Sequence, residues 1–265
     1  MNLDKALLHL KLDGWCVLDG IIPESRVRDI RRSVRSAVES SGGSVRIQGV
    51  GARTGLLAFD QSFSPYLADR RILDIAEALL GKPVRISFTT AIINYPGNER
   101  GRWHADWPFN QNSAGHIPAP YPDMVAHLTT IWMLSSFSAE TGGTLVVPGS
   151  HRSPNNPTGD NGVDPSRAYP TEIHASGRAG SVLVFDSRLW HSTAPNRSGR
   201  PRVGMAVRYA PWWLNIDILR PGSIERTQMV DETGGHENEQ IPVPASVYES
   251  LPEQVKPLYR HWVAD

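Results

Sequence analysis

Residues 180–209 read GSVLVFDSRLWHSTAPNRSGRPRVGMAVRY, and this stretch decides the fold. Gly180 is followed by Ser181 to Asp186, a β-branched and aromatic run with the character of a strand after a glycine turn. It leads to Leu189-Trp190-His191. Turn formers crowd the span from Pro195 to Pro201, and a second strand begins near Arg202. A hairpin here sets that strand beside the one leading to His191. On the second strand Arg202, Gly204, Ala206 and Arg208 then share one face. Two small residues between two arginines leave room for a ligand instead of filling the interior.

Upstream the texture is helical. Residues 3–12 and 23–40 read as helices, the second with Val27, Ile30, Val34 and Val38 at three- and four-residue spacing and arginines on its other faces. Pro23 suits a first turn, and Ser40-Ser41-Gly42-Gly43 ends the pattern. Trp15 to Leu18 resembles a short strand, and a third helix over 71–80 stops at Gly81 and Pro83. Short β-prone runs then follow at 84–95, 125–134, 144–147, 181–185 and 202–209. Helices first and strands afterwards predict a mainly β sandwich or barrel with flanking helices. Residues 1–265 form one domain in this reading: helical support over 1–83, a β core over 84–215, and a C-terminal extension over 216–265, helical from Pro244 to Val263. Pro- and Asn-rich stretches near 107–123 and 152–171 are too long for plain connectors and read as lids.

The chain has 265 residues, 40% of them hydrophobic, enough for one sizeable core. Its 27 basic and 27 acidic residues balance, so no global field draws it to nucleic acid or to a membrane surface. Its one cysteine, Cys16, excludes an internal disulfide and suits a reducing compartment. The opening MNLDKALLHLKLDGW lacks a signal-peptide core, and no apolar run nears the roughly 18 residues of a membrane span. A cytoplasmic protein acting on a small molecule is expected.

His104-Ala105-Asp106 places an imidazole and a carboxylate two residues apart, on one face of an extended segment. With nine histidines in the chain, such a pair arises by chance often enough to need context. His191, far off in sequence at the end of a strand pattern, supplies it. Two histidines and one carboxylate with open positions is the donor set of oxygen-activating iron(II), and a dianionic cosubstrate and O2 fill the remaining positions. Arginine forks grip carboxylates through two parallel hydrogen bonds. Arg202 is therefore expected to hold the distal carboxylate of 2-oxoglutarate, and Arg208 either an acidic group of the substrate or a salt bridge at the barrel end. Two other classes compete. A zinc hydrolase uses a similar donor set but leaves the arginine unexplained. A non-catalytic jelly-roll binding module has no need of an open metal site.

His104-x-Asp106, then Gly143-Thr144-Leu145-Val146-Val147-Pro148-Gly149-Ser150-His151, then His191 with Arg202 eleven residues on, resembles the phytanoyl-CoA dioxygenase family. The likeness runs from Asp13-Gly14-Trp15 to about Tyr209. It implies a double-stranded β-helix (a jelly roll), Fe(II), 2-oxoglutarate and O2, and hydroxylation of a small molecule. By position it places Asn94, Thr193 and Trp132 around the cosubstrate. Thr193 stands where the family often has serine, and a hydroxyl is kept. Related halogenases replace the metal carboxylate by a small residue, so the presence of Asp106 favours hydroxylation. His151 belongs to a structural turn, and His116 and His127 are set aside as ligands for want of a strand-end context. Substrate contacts are expected from Trp107, Phe109, Gln111, Trp212 and Trp213 at the mouth of the β core.

Overall fold

The computed structural model describes residues 1–40, 49–109, 121–154, 156–157 and 164–264. Helix α1 (Leu3–Leu12) leads into β1 (Trp15–Leu18), followed by α2 (Glu24–Glu39) and β2 (Val50–Thr54). Helix α3 (Arg70–Leu80) precedes β3 (Val84–Asn94), β4 (Leu128–Met133), β5 (Leu145–Val146) and β6 (Ile173–His174). The last strands are β7 (Val182–Asp186), β8 (His191–Ser192) and β9 (Arg202–Pro211). The predicted helices and strand 15–18 stand at or near their expected bounds. Pro23 lies just before α2, as its cap. The stretch 244–263 is less helical than expected, holding short helices at Ala245–Ser250 and Lys256–Tyr259 and a single turn after them.

The strands form two antiparallel sheets, a six-stranded one ordered β1-β7-β4-β9-β3-β2 and a three-stranded one ordered β6-β5-β8. This is the jelly-roll arrangement, open rather than a closed barrel. The predicted hairpin is not formed. β8 pairs with β5 in the small sheet, whereas β9 lies between β3 and β4 in the large one. The turn formers of 195–201 therefore carry the chain across from one sheet to the other, because in a two-sheet fold the successor of a strand need not be its partner.

Alternation along β9 fixes what each sheet face does. Val203, Met205, Val207 and Tyr209 join Val27, Ile30, Val34 and Val38 of α2 and Ile72, Ile75 and Ala76 of α3 in the main core. Arg202, Gly204, Ala206 and Arg208 face the opposite way, into a cavity between the sheets. The expectation that these four share one face holds, and that face lines a cavity. A smaller apolar cluster, including Ile131, Phe137, Leu183, Phe185 and Leu189, closes the space behind them.

The Asp13-Gly14-Trp15 segment ties helix, turn and sheet together. Gly149 N–H donates to the Asp13 carbonyl at 2.9 Å, and Asp186 N–H to the Gly14 carbonyl at 3.0 Å. Gly14 has φ +85°, and a Cβ there would lie 2.4 Å from His151 Nδ1. Only glycine combines that conformation with that contact. His151 is buried at this junction as a packing residue.

Candidate active site

His104 and His191 come together through the backbone. The His104 N–H donates to the His191 carbonyl at 3.1 Å and the His191 N–H to the His104 carbonyl at 2.9 Å, a single antiparallel bridge. The two imidazole centroids are 4.2 Å apart. Each ring uses Nδ1–H to donate to the carbonyl two residues back, His104 to Arg102 at 3.1 Å and His191 to Leu189 at 2.9 Å. A carbonyl only accepts, so both rings hold the tautomer that leaves Nε2 with a free lone pair. The segment before His104 is clamped from outside. The Trp103 N–H and Nε1–H donate to the Pro165 and Arg167 carbonyls, and Arg100 forms two hydrogen bonds to Glu172 at 2.9 and 2.6 Å.

Asp106 is fixed by its N–H to the Ser187 carbonyl at 2.7 Å. One ligand atom from each of His104, Asp106 and His191 lies within 4.8 Å of the others, and Asp106 Oδ2 is 3.6 Å from His191 Nε2. Arg208 Nη2 donates to Asp106 Oδ1 at 2.5 Å and Thr129 Oγ1 to Oδ2 at 2.8 Å. Burial alone would raise the carboxyl, but the Arg208 charge, the two imidazoles and the Thr129 hydroxyl hold it well below the usual range. His191 is pushed down to about 4, chiefly by burial and then by His104. It is neutral at neutral pH, the state a ligand needs. One carboxylate and two imidazoles on one side of a cavity suit a divalent ion with open positions.

Across the cavity, which holds about 370 Å³, stands Arg202, 3% exposed. Its Nε donates to the Gly142 carbonyl at 3.1 Å, and its guanidinium lies 4.2 Å over the Phe137 ring. Burial pushes it down to about 9, so it remains cationic at neutral pH. Among the described residues no carboxylate pairs with it. Asn94, its register partner on β3, is buried, and neither of its side-chain amide atoms has a partner. A buried cation without an anion beside a buried amide without a partner is an incomplete site, and a ligand carboxylate would satisfy both. Thr193 lines the same cavity.

Several expected contacts fall elsewhere. Trp132 lies on the wrong face of β4: Thr129 and Ile131 reach the cavity, so alternation sends Trp132 into the main core, with Nε1–H donating to Thr130 at 2.9 Å. Trp107 and Phe109 are buried in that core, packed edge-on against Tyr121 and His127. Trp212 and Trp213 lie beyond the end of β9, 60% and 45% exposed, and neither lines the cavity. Arg208 does line it, but its charge is matched by Asp106 instead of standing free for an acidic substrate. Gln111 and His116 lie outside the described residues.

Other cavity residues escaped sequence reasoning. β2 contributes Val50, Ala52 and Thr54, and the C-terminal extension contributes His236, Glu237 and Asn238. VGART has little strand signature of its own, and its placement comes from pairing with β3. A detectable signal is the set of threonines on or beside buried strands, since Thr90 on β3, Thr129 on β4 and Thr144 just before β5 all reach the cavity.

Comparison with known proteins agrees with this architecture. The family profile described as Phytanoyl-CoA dioxygenase (PhyH) matches residues 10–204. A dioxygenase of Aspergillus fumigatus, af480, is 29% identical over 205 residues, covering 74% of this chain and 62% of its own length. The Mycobacterium tuberculosis protein Rv1501 is 26% identical over 238 residues, covering 83% of this chain and 80% of its own. Two solved structures share the fold. The epimerase SnoN, in complex with Fe3+, alpha ketoglutarate and nogalamycin RO, superposes with TM-score 0.63 at 20% identity, covering 79% of this chain and 83% of its own. HygX from Streptomyces hygroscopicus, with nickel, 2-oxoglutarate and hygromycin B bound, gives 0.64 at 18%, covering 80% and 88%.

Proposed function

The chain belongs to the phytanoyl-CoA dioxygenase family, and on that premise we propose that it is an Fe(II)- and 2-oxoglutarate-dependent dioxygenase. It hydroxylates or otherwise oxidises a small molecule and releases succinate and CO2. The observation that carries this reading is the pairing, across one cavity, of the His104–Asp106–His191 cluster with an Arg202 that lacks an acid. A zinc hydrolase would need the first and has no use for the second.

His104 Nε2, His191 Nε2 and Asp106 would hold the metal, and Arg202 with Asn94 and Thr193 the cosubstrate. When bound, Fe(II) activates O2, coupling oxidative decarboxylation of 2-oxoglutarate to oxidation of the substrate. The protein's own part is placement. The bridge between His104 and His191 sets the spacing of the two imidazoles. The Phe137 ring and the Gly142 carbonyl orient the Arg202 fork before any ligand arrives, which lowers the ordering cost of binding. β2 and residues 236–238 stand as the substrate side of the cavity. We read residues 1–265 as one dioxygenase domain and place it in the cytoplasm, supported by its single cysteine. No described helix is long and apolar enough to cross a membrane.

Anaerobic addition of Fe(II) and then 2-oxoglutarate is expected to give a weak visible charge-transfer band, and oxygen is then expected to yield succinate. Tight iron binding without the band, and without succinate, would overturn the assignment.

A further inference from the structure

His127 was set aside as a ligand, yet it is fully buried and bonded at both ring nitrogens. Nε2 lies 2.7 Å from Ser87 Oγ, and Nδ1 lies 2.8 Å from Ser187 Oγ. Ser187 Oγ is 2.7 Å from Thr129 Oγ1, which is 2.8 Å from Asp106 Oδ2. Four side chains, Ser87 and Thr129 on strands β3 and β4, His127 just before β4 and Ser187 in the turn after β7, thus form a line of hydrogen bonds that ends on a carboxylate of the candidate metal site.

Proton counting gives the line a direction. Asp106 is ionised beside Arg208 and can only accept, so the one Thr129 hydroxyl proton points at Oδ2. Thr129 must then accept from Ser187, whose single proton is used in doing so. Ser187 therefore accepts from His127, and Nδ1 must carry a proton. The ring is buried against the Phe109 edge, and burial first and the Arg208 charge second disfavour a second proton, outweighing the opposite pull of Asp106. Nε2 accordingly accepts from the Ser87 hydroxyl. Every donor points toward Asp106, an order in which each bond polarises the next.

Ser87 reaches the ring because β3 is irregular there. The register with β9 slips between Ile86 and Phe88, leaving Ser87 as the extra residue, and such bulges re-aim side chains next to functional sites. The Ser187 carbonyl meanwhile accepts the Asp106 N–H at 2.7 Å. The same turn residue thus fixes Asp106 by its backbone and, through Thr129, by its side chain.

We infer that His127 is a positioning residue for the metal-binding carboxylate, acting as the Nδ1–H tautomer through Ser187 and Thr129. Arg208 holds Oδ1 and this chain holds Oδ2, so the carboxylate cannot rotate away from the two imidazoles. The inference rests on the iron reading above for its purpose, but the tautomer stands on the hydrogen-bond order alone.

Two measurements test it on the full-length protein. In 15N-histidine-labelled apo protein, the resonances lost in His127→Asn are expected to show a protonated Nδ1 and a bare Nε2. A ring protonated only at Nε2 overturns the inference. Fe(II) affinity is expected to fall about tenfold or more in Thr129→Val and His127→Leu. It is expected to stay near the wild-type value in Thr129→Ser, which keeps the hydroxyl, and in His127→Asn, which returns an N–H to the Nδ1 position. Affinities within twofold of wild type in both Thr129→Val and His127→Leu overturn it. If His127→Leu does not fold, the Thr129 pair decides. A wild-type chain with no affinity for Fe(II) would sink the iron reading instead, and the imidazole resonances would still judge this one.

Discussion

Arg208 Nη2 donates to Asp106 Oδ1 at 2.5 Å while Oδ2 of the same carboxylate lies 3.6 Å from His191 Nε2. The two oxygens are thereby divided between a permanent cation and the ligand cluster. Both partners are buried, so the pair is costly to break from one side. Arg208→Met keeps the volume and leaves a buried carboxylate unmatched. The apo protein is expected to lose about 3 kcal/mol of unfolding free energy. The sign for metal is opposite. Without Arg208 the site is one charge more negative, so a divalent ion should restore more stability in the variant than it adds to the wild type. Chemical unfolding of both proteins with and without Co(II) measures this, and equal metal-induced gains would contradict it.

Arg202→Lys is not conservative here. Lysine keeps the charge but loses the flat fork that lies over Phe137 and donates to Gly142. We expect 2-oxoglutarate affinity to fall about 10- to 100-fold, the loss of one or two charge-assisted hydrogen bonds, with Fe(II) affinity unchanged. Titration of the iron-loaded variant with 2-oxoglutarate checks both halves.

Much of this site is legible in the sequence because Arg202, Arg208 and His191 sit on strands, while His104 and Asp106, outside any regular element, show through their two-residue spacing. The period of two along Arg202, Gly204, Ala206 and Arg208 placed all four on the cavity side. The spacing of Val27, Ile30, Val34 and Val38 placed α2 on the main core. What was missed depended on partners far away in sequence. Turn chemistry at 195–201 could announce a turn but not that β9 would pair with β3 and β4. Trp132 was misplaced by one residue of phase, enough to move a side chain from one face of a strand to the other. Trp212 and Trp213 follow the last residue of β9, where alternation no longer says anything. The sequence sets His127 aside as a ligand, and its hydrogen bonds show only once Ser187 and Thr129 are beside it.

Gly14→Ala tests the junction that holds the helices to the sheets. The residue sits at φ +85°, and the new Cβ would meet His151 Nδ1 at 2.4 Å and Leu189 Cδ1 at 2.9 Å. Left-handed backbone strain costs about 1–2 kcal/mol for a residue with a Cβ, and the overlap adds to it. A loss of at least about 2 kcal/mol in denaturant midpoint analysis is expected. Val17→Ala on neighbouring β1 is half-buried and introduces no overlap, so it serves as the milder reference. A Gly14→Ala protein no less stable than Val17→Ala would show that the junction yields easily.

Acid should weaken the apo protein well before its carboxylates titrate. Burial pushes His127 down to about 3 and both His191 and His261 to about 4, whereas the same side chains unfolded titrate near 6.5. Between about pH 6.5 and 4 the unfolded chain therefore binds protons that the folded chain refuses. Stability must fall as pH falls through that window, by about 1.4 kcal/mol per pH unit for each fully buried histidine. His261 is only partly buried and contributes less. The depressed Asp106 works in the same direction at lower pH, since its contribution is present above the unfolded value and lost as the folded one is approached. Unfolding free energies measured from pH 7 to 5 are expected to drop with a slope of two to three protons, and His127→Asn should remove about one of them. A metal ion at His191 opposes protonation there, so saturating Co(II) should steepen the slope by competition in the acid range. A flat profile from pH 7 to 5 would mean that these imidazoles are open to water, and the ordered line from Ser87 to Asp106 would fall with it.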